Sequence, residues 1–171
     1  MNDFLNKIKH LLGICLGVCL LFAWQDRVLL NTSESMPRGI WRVHELHDEA
    51  RFVSLTPPEE ALRWGCTRPD QLLIKEVWAT QGDHVCLKGR VLYREDEPGR
   101  EIHTALYSRR GDVLELGWKQ GCQRLGEGEV FVLGHHPSSC DSRFFGPVPT
   151  SSLQGAVSPW VLWDDMDEEM P

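Results

Sequence analysis

The sequence predicts a mostly β domain with antiparallel strands, carried behind one N-terminal transmembrane helix. Three observations predict this. One long charge-free apolar stretch, residues 11–24 (LLGICLGVCLLFAW), stands at the front of a 171-residue chain. Behind it, short apolar segments rich in β-branched and aromatic residues recur. Turn signals punctuate them, as many-stranded antiparallel folds require.

The apolar stretch is preceded by Lys7 and Lys9 and followed by Trp24-Gln25-Asp26-Arg27. Fourteen helical residues cover about 21 Å, less than the roughly 30 Å of a hydrocarbon core. A cleaved leader needs small residues at −3 and −1, and none stand after the run. An uncleaved anchor is therefore expected, with Trp24 at one interface and Lys9 snorkelling at the other. The preceding lysines put the N-terminus in the cytoplasm and everything beyond Trp24 outside it.

Past the anchor, strands are expected at 39–43, 51–55, 72–78, 84–87, 91–94, 113–116, 130–133 and 156–162. Turns separate them at Thr56-Pro57-Pro58, Gln81-Gly82-Asp83, Glu97-Pro98-Gly99 and Arg110-Gly111-Asp112. One short helical turn is expected at 59–64 and a long surface loop at 96–110. The organisation is thus an N-terminus with anchor at 1–27, a β-rich domain at 28–163 and an acidic tail at 164–171.

Apolar residues make up 42% of the chain, enough for a packed core. Net charge is −7, and the dense charge run, near the C-terminus, is acidic, which argues against a nucleic-acid-binding surface. Cys15 and Cys19 sit in the apolar run as small hydrophobes. Cys66, Cys86, Cys122 and Cys140 contain no CxxC pair, so spacing leaves disulfides and free thiols equally open. If one pair forms, Cys122 with Cys66 or with Cys86 is expected.

Chemistry concentrates in three stretches. The first is Asn31-Thr32-Ser33-Glu34-Ser35-Met36-Pro37-Arg38-Gly39, a hydroxyl-bearing turn close behind the anchor. The eleven residues from Trp24 to Ser35 reach at most about 36–40 Å, which keeps Ser35 near the membrane surface. The second contains Lys75 within the apolar strand Leu72-Leu73-Ile74-Lys75-Glu76-Val77-Trp78. A buried ammonium tends to lose its proton, and the neutral amine can act as a general base. The third runs from Val130 through Ser139-Cys140-Asp141-Ser142-Arg143 to Val148. Asp141 and Arg143, two apart in an extended chain, would share one face and pair.

In order and spacing these stretches resemble the conserved boxes of type I signal peptidases, serine peptidase family S26. The similarity is greatest to the conjugative-transfer, TraF-type branch that processes pilin precursors. It rests on Ser33-x-Ser35-Met36-Pro37-x-Gly39, on Leu73-Ile74-Lys75 followed by Gly82-Asp83-x-Val85, and on Asp141-Ser142-Arg143-Phe144-Phe145-Gly146-Pro147-Val148. The resemblance implies a signal-peptidase-like β domain with Ser35 as nucleophile and Lys75 as general base. It implies that Ser33 lends its hydroxyl to the oxyanion hole, that Ser139 orients the lysine, and that Asp141 and Arg143 form a structural ion pair. It further implies an exported precursor as substrate, a bacterial inner-membrane location with the domain facing the periplasm, and no cofactor or metal. Hydrolysis and closure of a cyclic peptide both remain compatible with the motifs.

The chain departs from the family at Gly134-His135-His136, where Gly-Asp-Asn is common, at Cys140, and at Ala79-Thr80-Gln81. Four rival readings compete with the Ser/Lys dyad. They are a Ser/His/Asp triad using His135 or His136 with Asp141, a metal site of His135, His136 and Cys140, a self-cleaving repressor, and an inactive membrane-tethered scaffold. The repressor would need a DNA-binding domain where the apolar run stands.

Overall fold

The computed structural model describes residues 2–25, 28–95, 102–108 and 110–163, and within the first helix the side chains of 6–17. The acidic tail expected at 164–171 lies outside the described residues.

Helix α1 (Asn2–Gln25) forms where the apolar run predicts a helix. The expected spanning helix does not follow from it: among the described residues no helix is long and apolar enough to cross a membrane. Its charge-free run covers about 21 Å at 1.5 Å per residue. Leu11, Leu12, Ile14 and Leu16 are nevertheless exposed, so this apolar surface is not spent on the core.

Strands β1 (Val28–Asn31), β2 (Gly39–His44), β3 (Phe52–Leu55), β4 (Leu73–Ala79), β9 (Glu129–Leu133), β10 (Val148–Pro149) and β11 (Leu153–Leu162) make one sheet. It has seven strands in the order β1-β2-β11-β3-β4-β9-β10, and its pairs are antiparallel. A second, four-stranded sheet orders β7 (Ile102–His103), β6 (Val91–Arg94), β5 (His84–Lys88) and β8 (Gly121–Arg124). Two short helices, α2 (Glu59–Arg63) and α3 (Ser142–Phe145), interrupt the strands.

The large sheet buries apolar residues on both faces, which explains why its strands read as near-continuous apolar runs. Val53, Leu55, Val130, Val132 and Ala156 form one cluster; Met36, Trp41, Phe52, Ile74 and Val157 form another. A third cluster, around Trp78, Leu87, Trp118 and Phe131, joins the large sheet to the small one. In register Val53 faces Lys75 and Phe52 faces Glu76. Cross-strand partners share a face, so strand alternation sends Lys75 and Glu76 to opposite sides of β4.

Most expected strands are present within a residue or two. Residues 113–116 are the exception: Val113 makes only an isolated bridge with Tyr107 and is 70% exposed. The segment belongs to a hairpin whose two legs are held by Arg90, which donates to the carbonyls of Ala105 and Leu114. Among the described residues no neighbouring strand offers the ladder that its apolar pattern anticipated. Of the loop expected at 96–110, residues 96–101 and 109 lie outside the described residues. Ile102 and His103 are paired as β7 rather than looped.

The four later cysteines form two disulfides, Cys86–Cys122 and Cys66–Cys140. The first joins directly opposed residues of β5 and β8 and matches one of the two expected pairings. It also explains why β8, the polar segment GCQR, holds as a strand without an apolar stripe. Because this cross-link restricts the unfolded chain over a separation of 36 residues, Cys86→Ser/Cys122→Ser should lose about 2–4 kcal/mol of stability. Urea denaturation of the two proteins measures this, and an unchanged midpoint would refute it.

Candidate active site

The first chemical stretch forms the β1–β2 turn, and Asn31 organises it. Its Nδ2 donates to the carbonyls of Ser33 (3.0 Å), Met36 (2.8 Å) and Pro37 (3.1 Å). Its Oδ1 accepts from the Ser33 N–H (3.2 Å) and the Ser33 hydroxyl (2.9 Å). Met36, 1% exposed, plugs the turn into the core beside Trp41, whose Nε1 also donates to the Pro37 carbonyl. Between these fixed points Ser33 and Ser35 face outward with their hydroxyls 2.9 Å apart.

That network assigns protons. Asn31 Oδ1 is a pure acceptor, so the Ser33 hydroxyl spends its one proton there. The Ser35 hydroxyl must then donate to Ser33. Sequence reading passed over Asn31, although an Asn two residues before a Ser is an ordinary Asx-turn signal.

Lys75 is 1% exposed in the middle of β4, and its Nζ donates to Ser139 Oγ at 3.0 Å. Burial pushes its ammonium down from 10.5 to about 8; Asp141 opposes that shift and Arg143 adds to it. Desolvation disfavours the charged form, and a single neutral hydroxyl compensates little of the loss.

Asp141 and Arg143 are fully buried and paired, with Arg143 Nη2 2.6 Å and Nε 2.8 Å from the carboxylate. They do not meet across an extended chain, as the sequence suggested. Asp141 is the N-cap of α3 and accepts from the Arg143 backbone N–H, so a helical turn aligns the two side chains. The pair also closes a loop: Asp141 accepts from the Gly134 N–H at 2.8 Å, and Arg143 donates to the Gly134 and His136 carbonyls.

The closed loop carries Ser139 and reaches the β1–β2 turn that holds Ser35. The His135 N–H donates to the Ser35 carbonyl at 2.6 Å. Gly134 makes this approach feasible, since a Cβ there would collide with Ser139 Oγ and lie 2.6 Å from the Ser35 carbonyl oxygen. Ser33, Ser35, Lys75 and Ser139 all line one cavity of about 1000 Å³.

The rival sites fare differently. The His135 ring lies 3.6 Å from Glu76, itself paired with Arg51, and His136 Nδ1 is 2.8 Å from Ser138 Oγ. The Asp141 carboxylate is taken by Arg143 and Gly134, so the histidines and Asp141 do not form the relay a triad needs. The metal reading loses its sulfur donor, because Cys140 is bonded to Cys66. A cluster of Cys86, Glu95 and Cys122 has the spacing of a metal site, but its sulfurs are likewise joined to each other.

Comparison with known proteins agrees with the motifs. Three relatives are similar over most of their lengths. The conjugal transfer protein TraF of Agrobacterium fabrum (strain C58) is 29% identical over 79% of this chain and 82% of its own. That of Agrobacterium tumefaciens (strain 15955) is 30% identical over 76% and 80%. The plasmid transfer protein TraF of Escherichia coli is 25% identical over 95% and 100%. A signal peptidase I from Enterococcus faecalis V583, a solved structure, aligns with a TM-score of 0.41 at 22% identity, covering 67% of this chain and 100% of that one. The family model described as signal peptidase, peptidase S26, matches residues 5–163, and the chain therefore belongs to the signal peptidase family, peptidase S26.

Proposed function

We propose that this chain is a membrane-attached serine endopeptidase that cleaves exported precursors during conjugative transfer, with Ser35 as nucleophile and Lys75 as general base. The observation that carries this reading is Lys75. It is a buried amine with a proton affinity lowered to about 8, held by one hydroxyl, in the cavity that also receives Ser35.

In the resting arrangement the Ser35 proton points to Ser33. Entry of a peptide carbonyl turns the Ser35 hydroxyl, and neutral Lys75 takes its proton as Oγ attacks. Ser33 swings its own proton from Asn31 to the oxyanion, joining the Ser35 backbone N–H. The Lys75 ammonium then protonates the leaving amine, and a water deprotonated by Lys75 releases the acyl group. Throughout, Ser139 fixes the amine's direction, while Asp141 and Arg143 hold the loop that carries Ser139.

Attachment to the bacterial inner membrane, with the domain on the periplasmic side, is supported by three features. They are the exposed apolar side chains of α1, the lysines before them, and two disulfides suited to an oxidising compartment. The relatives' role in conjugal transfer suggests a pilin precursor or another signal-peptide-bearing protein as substrate.

The test is processing of a co-expressed pilin precursor from the same transfer system, read by product mass. Ser35→Ala and Lys75→Ala should each reduce processing by roughly 10⁴-fold or more. A product one water lighter than the linear peptide would identify cyclisation. Processing that survives both substitutions would leave the inactive-scaffold reading standing.

Ser33→Ala should lower kcat by roughly 10²–10³-fold with little change in KM, as loss of one oxyanion donor does. An equal loss spread into KM would assign Ser33 to substrate binding instead. The pH dependence follows from the lysine. Only the neutral amine accepts a proton, so kcat/KM should rise with pH and level off above about 8. A profile that levels off near pH 6 would assign the base to a histidine.

A further inference from the structure

The disulfide Cys66–Cys140 stands at an unusual point in the site. Cys140 lies between Ser139, the hydrogen-bond acceptor of Lys75, and Asp141, the anchor of the buried ion pair. Its partner Cys66 follows α2, where its N–H donates to the Ala61 carbonyl. Both cysteines line the cavity that Ser35 and Lys75 share. Cys66 is exposed and Cys140 half-buried, so the disulfide lies at the solvent-facing side of the cleft.

The loop around it is unevenly held. Its ends, at Gly134 and Asp141, are fixed by Arg143. The middle, residues 137–140, is tied to other elements by the disulfide, by a long 3.4 Å bond from the Ala105 N–H to the Pro137 carbonyl, and by the Lys75–Ser139 contact. Local bonds to His136 shape the turn without attaching it elsewhere. The covalent link is therefore the firm restraint on the position of Ser139. The other disulfide differs in its place in the fold, although its Cys122 is exposed as Cys66 is. Cys86 is fully buried, both of its cysteines sit in the small sheet, and neither lines the cleft.

We propose that Cys66–Cys140 is a thiol-reactive site through which a dithiol reductant switches the catalytic cleft off. The reductant is a small dithiol or a dithiol oxidoreductase. One of its thiolates attacks the sulfur of Cys66, the more exposed of the two residues, and Cys140 leaves as thiolate, which takes a proton. The second thiol attacks the mixed disulfide, leaving the reagent oxidised and Cys66 as a thiol. Two electrons pass to the protein. The S–S bond is lost, the middle of the loop loosens, and Ser139 no longer holds the lysine amine at one place. Because the disulfide faces the cleft, a bound peptide shields it, and reduction and substrate occupancy compete.

The proposal rests on the peptidase reading of the same cleft, and the experiment separates the two. Full-length protein is titrated with dithiothreitol, and alkylation with mass mapping tells which disulfide has opened. Three quantities are followed: precursor processing, deuterium uptake over 134–141, and the Lys75 titration by NMR of lysine-labelled protein. Cys66–Cys140 should open first. With it, processing should fall by roughly tenfold or more, uptake should rise, and the Lys75 titration should move towards higher pH as water reaches the amine. Cys66→Ser/Cys140→Ser should show the reduced behaviour without reductant, and Cys86→Ser/Cys122→Ser should respond as wild type does.

Opening of Cys66–Cys140 at an unchanged processing rate would overturn the proposal, as would unchanged uptake and lysine titration. If the oxidised protein shows no processing that depends on Ser35 and Lys75, the peptidase reading fails. Uptake and titration then decide this inference by themselves.

Discussion

The loop that joins the two halves of the site hangs on one buried ion pair. Asp141 and Arg143 have no access to solvent, and two charges taken out of water are costly unless their remaining polar atoms are satisfied. The loop 134–141 answers that demand: the Gly134 N–H turns to the carboxylate, and the Gly134 and His136 carbonyls turn to the guanidinium. These bonds fix the two ends of the loop, and of the guanidinium only Nη1 stays buried without a hydrogen-bond partner among the described residues.

From that fixed loop two consequences pass outward. The His135 N–H grips the Ser35 carbonyl, which ties the β1–β2 turn to the strand that precedes the loop. Ser139 meets Lys75, which binds the same loop to β4. The β1–β2 turn, held from its own side by Asn31, thus has its position set by two networks that share no side chain. Such double restraint suits chemistry in which an error of an ångström is expensive.

Lys75 shows how sheet geometry and electrostatics combine. A sheet buried on both faces gives an alternating strand no polar side on which to put a lysine. The amine is buried because β4 sits between β3 and β9, and its lowered proton affinity follows from that position. Its neighbour Glu76 meets the same demand on the opposite face with Arg51 and His135. Two adjacent ionisable residues in one strand therefore have different fates, decided by what the fold puts opposite each.

The sequence by itself determined the fold class, most strands and the residues of the three chemical stretches. These depend on local pattern: apolar runs at strand length, turn residues between them, and hydroxyl, amine and acid–base pairs in a recognisable order. Tertiary structure decided what pattern cannot carry. Short strands such as β8 and β10 exist because a disulfide or a neighbouring strand recruits them. The Asp141–Arg143 pair forms through a helix cap rather than an extended face, a choice made by the loop it must close. The pairing of Cys66 with Cys140 spans 74 residues, and no spacing rule reaches that far. The Asx turn of Asn31 is local, but its hold on the Met36 and Pro37 carbonyls appears only once folding brings them together, because a buried amide takes its meaning from the partners that folding supplies.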